Sequence, residues 1–97
     1  MLKLTKTMLQ KSIIDCNSEC RDFALKHGVD YDAISNGERV VLAATWQDGT
    51  ETELRFYRPA NDRKDRRLSI KDIKKHCEIG DTITMANSKN GILLIIS

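Results

Sequence analysis

Ninety-seven residues are the length of one domain, since a second core would have too little chain behind it. Apolar residues make up 40% and charged residues 31%, a soluble globular balance that excludes a disordered or fibrous chain. The apolar run Ile92 to Ile96 is far too short to span a bilayer, and no apolar stretch follows Met1-Leu2-Lys3-Leu4-Thr5-Lys6 as a signal peptide would require, so the expectation is a cytoplasmic protein with no membrane partner.

Taken in chain order, Leu2, Leu4 and Met8 begin an extended segment that runs toward Ile13-Ile14. Asn17 or Ser18 then caps a helix, with Glu19 favourable in its first turn. Cys20, Phe23, Ala24 and His27 recur at helical spacing on one buried face, and Gly28 stops the helix. Val29 to Asn36 reads as a turn-rich connection ending at Gly37. Val40 to Trp46 is a strand, and Asp48-Gly49 a hairpin turn whose central residues need positive φ. Thr52, Leu54 and Phe56 alternate with Glu53, Arg55 and Tyr57, so this strand has one wet face. Arg58 to Arg66 is a polar loop opened by Pro59. Ser69 and Asp72 have capping-box spacing ahead of a short helix faced by Ile70, Ile73 and Cys77. Ile79-Gly80-Asp81 turns the chain into Thr82–Met85, Asn90-Gly91 signals a second hairpin, and Ile92 to Ile96 closes as a central strand, apolar on both faces.

A strand, a capped helix, a strand, a turn and a strand thus occur twice. The expected fold is α+β: a small mixed β-barrel, or pseudobarrel, of about seven strands with two short helices and a pseudo-twofold internal repeat, monomeric, over residues 1–97 as one domain. Its expected core is Ile13, Phe23, Val40, Leu42, Leu54, Phe56, Leu68, Ile73, Ile83, Met85 and Ile92–Ile96. The odd cysteine count, Cys16, Cys20 and Cys77, predicts buried free thiols without a disulfide. A zinc set of Cys16, Cys20, His76 and Cys77 is disfavoured, because adjacent His76 and Cys77 diverge. No metal or other cofactor is expected. Trp46 is expected in packing, His27 in packing or as complement to a helix dipole, and His76 in solvent.

The net charge is only +2, but residues 55–75 hold nine bases against three acids. A basic segment on a near-neutral domain suggests an anionic partner, nucleic acid first. Arg58, Arg63, Lys64 and Arg66 supply its loop with cations suited to phosphate or guanine, while Asn61 and Gln10 have the amide that pairs with adenine. Tyr57, on the wet face beside Arg58, is placed to touch a phosphate. No H-E-x-x-H, G-x-S-x-G or Walker sequence occurs, so no enzyme is expected.

The stretch from Arg67-Leu68-Ser69-Ile70 through Glu78-Ile79-Gly80-Asp81 to Met85 resembles two families of DNA-binding folds. Over residues 67–96 it is similar to the AbrB/MazE swapped-hairpin family. With Val40–Trp46, Asp48-Gly49, Leu54–Tyr57 and the opening Leu4-Thr5-Lys6 added, most of the chain resembles the pseudobarrel of plant B-three transcription factors and of type II restriction endonuclease recognition domains. That resemblance implies a double-stranded DNA partner gripped in the major groove by two arms. It puts the first arm at Lys6, Thr7, Met8, Leu9, Gln10 and Lys11, and the second at Arg58 to Arg66. The proline that often opens the first helix in plant members is absent; Asp15-Cys16-Asn17 stands there. The implied role is transcription regulation in a prokaryote or phage, or target recognition for a second protein chain that carries catalysis. The alternatives are a protein-binding module such as a phage-type inhibitor, and an AbrB/MazE-like dimeric antitoxin or regulator.

Overall fold

Alternation of apolar and polar residues along two pairs of segments is realised as two hairpins that share one sheet. The computed structural model describes residues 1–60, 65–89 and 91–97. In chain order the elements are β1 (Leu2–Lys3), α1 (Lys6–Lys11), β2 (Ile14–Asp15), α2 (Ser18–Lys26), a single 3-10 turn (Tyr31–Ala33), β3 (Arg39–Trp46), β4 (Glu51–Tyr57), β5 (Arg67–Ile70), α3 (Ile73–His76), β6 (Thr82–Ser88) and β7 (Gly91–Ile96). The seven strands form one sheet in the order β1-β6-β7-β3-β4-β5-β2, curled into a half-barrel.

The β3–β4 hairpin pairs Arg39 with Tyr57 and Thr45 with Glu51, and closes through Gly49 at φ 89°, a conformation that favours glycine at this turn. The β6–β7 hairpin registers Ser88 with Gly91; Asn90, half of its expected turn signal, lies outside the described residues. A parallel pairing of Ala44–Trp46 with Ile92–Leu94 joins the two hairpins. This makes β7 central, as its two apolar faces required. At the ends of the sheet, β1 pairs with β6 and β2 with β5. α1 connects these two ends, and Asn17 Nδ2 donates to the Met1 carbonyl at 2.7 Å to draw them together.

The core fills the inside of the curl. Leu54, Phe56, Leu68, Ile73, Ile83, Met85, Ile92 and Leu94 are buried, with Trp46, Leu4 and Ile14. Tyr31 packs edge-to-face on Phe56 at 6.2 Å and donates its hydroxyl to the Arg67 carbonyl at 2.7 Å. Desolvation raises the Tyr31 hydroxyl's pKa well above its ordinary value.

Five sequence expectations are corrected. Residues 6–11 are not extended but helical. Thr5 caps α1 by accepting from Met8 N–H at 3.3 Å, and Ser12 ends it in the left-handed region at φ 52°. Three helices therefore stand among the described residues where two are expected. Ser69 belongs to β5, and Asp72 at φ 60° makes no side-chain cap, so the expected capping box does not form. Val40 is exposed and Leu42 only partly buried, because β7 reaches no further along β3 than Ala44; Ala44 and Trp46 fill the covered half. Cys16 and Cys20 pair as a disulfide that ties the end of β2 to the first turn of α2, with Cα atoms 5.4 Å apart; Cys77 remains a free, buried thiol. Finally, His76 stacks flat on Trp46 at 4.5 Å rather than standing in solvent. Its Nε2 lies 3.6 Å from Asp48, whose carboxyl is held below its ordinary range by hydrogen bonds from Thr50.

Candidate nucleic-acid interface

Because Thr52, Leu54 and Phe56 point into the core, Glu51, Glu53, Arg55 and Tyr57 must stand on the outer face of β4. Cross-strand register then sets their neighbours. Tyr57 lies between Arg39 of β3 and Arg67 of β5, and Arg55 between Val41 and Ser69. Directly opposed side chains in such pairs are within reach of each other, so these residues form adjoining rows across three strands.

The left-handed turn at Ser12 brings the C-terminal end of α1 over this face. Lys11, Ser12 and Ile13 join Arg39, Arg55, Tyr57 and Ser69 around a concavity of about 350 Å³. A second hollow of about 430 Å³, lined by Thr7, Lys11, Ile13, Asp15 and Arg67 among others, shares Lys11 and Ile13 with the first. The two make one furrow between α1 and the outer sheet face, bordered by four cations. Arg55 is held by Glu53 at 3.2 Å and Arg67 by Asp65 at 3.1 Å. Lys11 and Arg39 make no ion pair with the described residues.

This furrow gathers only some of the residues singled out by sequence. Thr7 and Lys11 line it. Lys6 and Gln10 lie on the other flank of α1, around a hollow shared with Lys74 and Ile79, where Lys74 Nζ donates to the Gln10 carbonyl at 3.1 Å. Arg58 turns inward: its Nη1 donates to the carbonyls of Ile34 at 3.2 Å and Tyr31 at 3.4 Å, which ties the base of the loop to the 3-10 turn. Arg66 faces the same turn, 3.9 Å from Asp32. Asn61, Arg63 and Lys64 lie outside the described residues.

No family model, no curated protein and no solved structure matches this chain. The site thus rests on its own geometry. Among the described residues no group of three or more His, Cys, Asp or Glu side chains is placed to hold a metal ion, and no helix is long and apolar enough to cross a membrane.

Sequence reasoning missed Arg39, Arg55, Arg67 and Ser69 as site residues. The wet-face alternation of β4 pointed to Arg55, but strand order was needed to place Arg39 and Ser69 beside it. Ser69 was assigned to a cap because its spacing from Asp72 mimics one.

Proposed function

We propose that this chain is a double-stranded DNA-binding module, a pseudobarrel with pseudo-twofold halves, that acts as a small regulator or as the recognition domain for a catalytic chain. The observation that carries this reading is the furrow in which Lys11, Arg39, Arg55 and Arg67 gather beside Tyr57 and α1. A duplex carries one charge per roughly 1.7 Å of axis, so a line of cations is its general complement. The first arm of the resemblance falls on α1, beside this furrow. α1 stands between β1 and β2 and presents Thr7 and Lys11; the segment 58–66 stands between β4 and β5. Arg58 is the anchor of the second arm, since its guanidinium is already engaged by carbonyls. Arg63, Lys64 and Arg66 then supply charge from that arm, and Asn61 the amide nearest the bases.

The test is an electrophoretic shift against a random duplex library, with single-stranded DNA and RNA as competitors. Retention of duplex in preference to both competitors, weakening steeply with salt, is the expected result. Equal competition by single strands, or no shift at low salt, would overturn the reading.

A further inference from the structure

Two hollows of the same size on one sheet face differ in the charge that lines them. Around the first, Lys11, Arg39 and Arg55 are joined by the hydroxyls of Ser12, Ser69 and Tyr57, and no carboxylate belongs to its described lining. The other, further along β3 and β4, has Glu51 and Glu53 against Lys71. Three cations and three hydroxyls converging without an acid form an arrangement of donors alone, save for the hydroxyl lone pairs. Its side chains offer no carboxylate to a cation, and Ile13 supplies an apolar wall.

The donors also differ in how they are held. Arg55 is braced by Glu53 at 3.2 Å through one terminal nitrogen, Nη2, which fixes the plane of a guanidinium that still has donors to offer. Lys11 and Arg39 are exposed and make no ion pair with the described residues. Ser12 is fixed by the left-handed end of α1, where its N–H donates to the Met8 carbonyl. Ser69 is fixed in β5 opposite Arg55. A volume of about 350 Å³ is at the low end of small-ligand sites, room for a tetrahedral oxyanion with an attached sugar.

We infer that this hollow is a phosphate seat: it takes one phosphate group of a nucleotide, with Arg55 and Ser69 at its floor and Lys11 and Arg39 at its rim. The inference deepens the DNA-binding reading and rests on it for the source of the phosphate. That source is either an internal phosphodiester or a 5′-terminal phosphate, whose oxyanion chemistry is shared.

The experiment is an NMR titration of the full chain, following arginine Nε–Hε and lysine Nζ resonances, first with inorganic phosphate and then with short duplexes with and without a 5′-phosphate. Saturable shifts at Arg39, Arg55 and Lys11, with little movement at Lys6, Arg66 and Lys74, are expected. Arg39→Ala, at an exposed position, should weaken phosphate binding by about tenfold, the size of one charge-assisted hydrogen bond, with an unchanged amide spectrum as proof of fold. Shifts that never saturate, or that spread evenly over all cations, would overturn the seat even if the duplex still binds elsewhere. Saturable phosphate binding without any duplex binding would keep the seat and defeat the DNA reading. If both duplexes shift the same three residues alike, an internal phosphodiester is the source; a response confined to the phosphorylated end assigns the terminal group.

Discussion

The outer face of the β3–β4 hairpin has two ends with the same strand geometry and opposite charge. At the Tyr57 end, Arg39, Arg55 and Lys11 surround a hollow of about 350 Å³; at the turn end, Glu51 and Glu53 face one of the same size with Lys71. Pleat and register are common to both, while the end of α1 walls only the first. What differs is the order of charges at alternate positions of one strand: Glu51, Glu53, Arg55, then Tyr57. The Arg55–Glu53 pair is the boundary, and an anionic polymer laid along β4 meets attraction on one side of it and repulsion on the other. The lesson is that one pair of strands carries hollows of opposite charge through residue choice at alternate positions.

The largest expected effect strikes the scaffold under both ends. Phe56 is fully buried and meets Tyr31 edge-on. Phe56→Ala should cost about 3–5 kcal/mol in urea unfolding and abolish both hollows together; a near-neutral result would show that the outer face does not depend on this core.

Next comes the contrast between a cation that holds the fold and cations placed to hold a ligand. Arg58 donates to the Tyr31 and Ile34 carbonyls, and its buried Nε has no hydrogen-bond partner among the described residues. Arg58→Ala should lose about 1–3 kcal/mol of stability, while Arg39→Ala should lose almost none. Equal losses would erase the distinction drawn between them.

A pH measurement probes the packing behind α1. Burial pushes the Cys77 thiol up from 9.0 to about 11. The unfolded chain therefore gives up this proton first, and stability falls as pH rises from about 9 to about 11, by at most about 1.4 kcal/mol per pH unit from this group. Unfolding free energies across that window should decline less in Cys77→Ala; an identical decline would place the cause elsewhere, with the buried Tyr31 hydroxyl as the next group to examine above its ordinary value of 10.0.

The smallest effect sits on the boundary itself. Glu53→Gln removes the charge from one half-exposed ion pair, worth about 0–1 kcal/mol to stability. It should leave folding unchanged and strengthen duplex binding slightly, by removing a negative charge from the edge of the furrow. Weaker binding would mean that bracing Arg55 takes the Glu53 carboxylate charge and not a neutral acceptor in its place.

Much of this hairpin was legible in the sequence, because period-two alternation from Thr52 to Tyr57 and the Asp48-Gly49 turn determine which side chains face outward. α2 was legible for the same kind of reason: Asn17 caps it and Cys20 and Ala24 recur on its buried face. α1 was not, since only Leu9 of its six residues is buried and six residues leave no room for a helical period to repeat. Thr5 was the available signal, a cap residue ahead of a short run. The exposure of Val40 was illegible locally, because it follows from where β7 stops along β3. The furrow was half legible: charge counting marked residues 55–75, but its rim cation Arg39 joins it only through strand pairing.

The central claim, that the cationic end of this face holds duplex DNA, is tested most directly by the salt dependence of duplex affinity in three proteins: the unmodified chain, Lys11→Ala/Arg39→Ala and Glu51→Gln/Glu53→Gln. Loss of the two cations at the rim of one phosphate seat should lower the slope of log affinity against log salt by roughly one, while removal of the two acids leaves the slope as it was. A Lys11→Ala/Arg39→Ala protein that stays folded and keeps the unmodified affinity and slope would contradict the account.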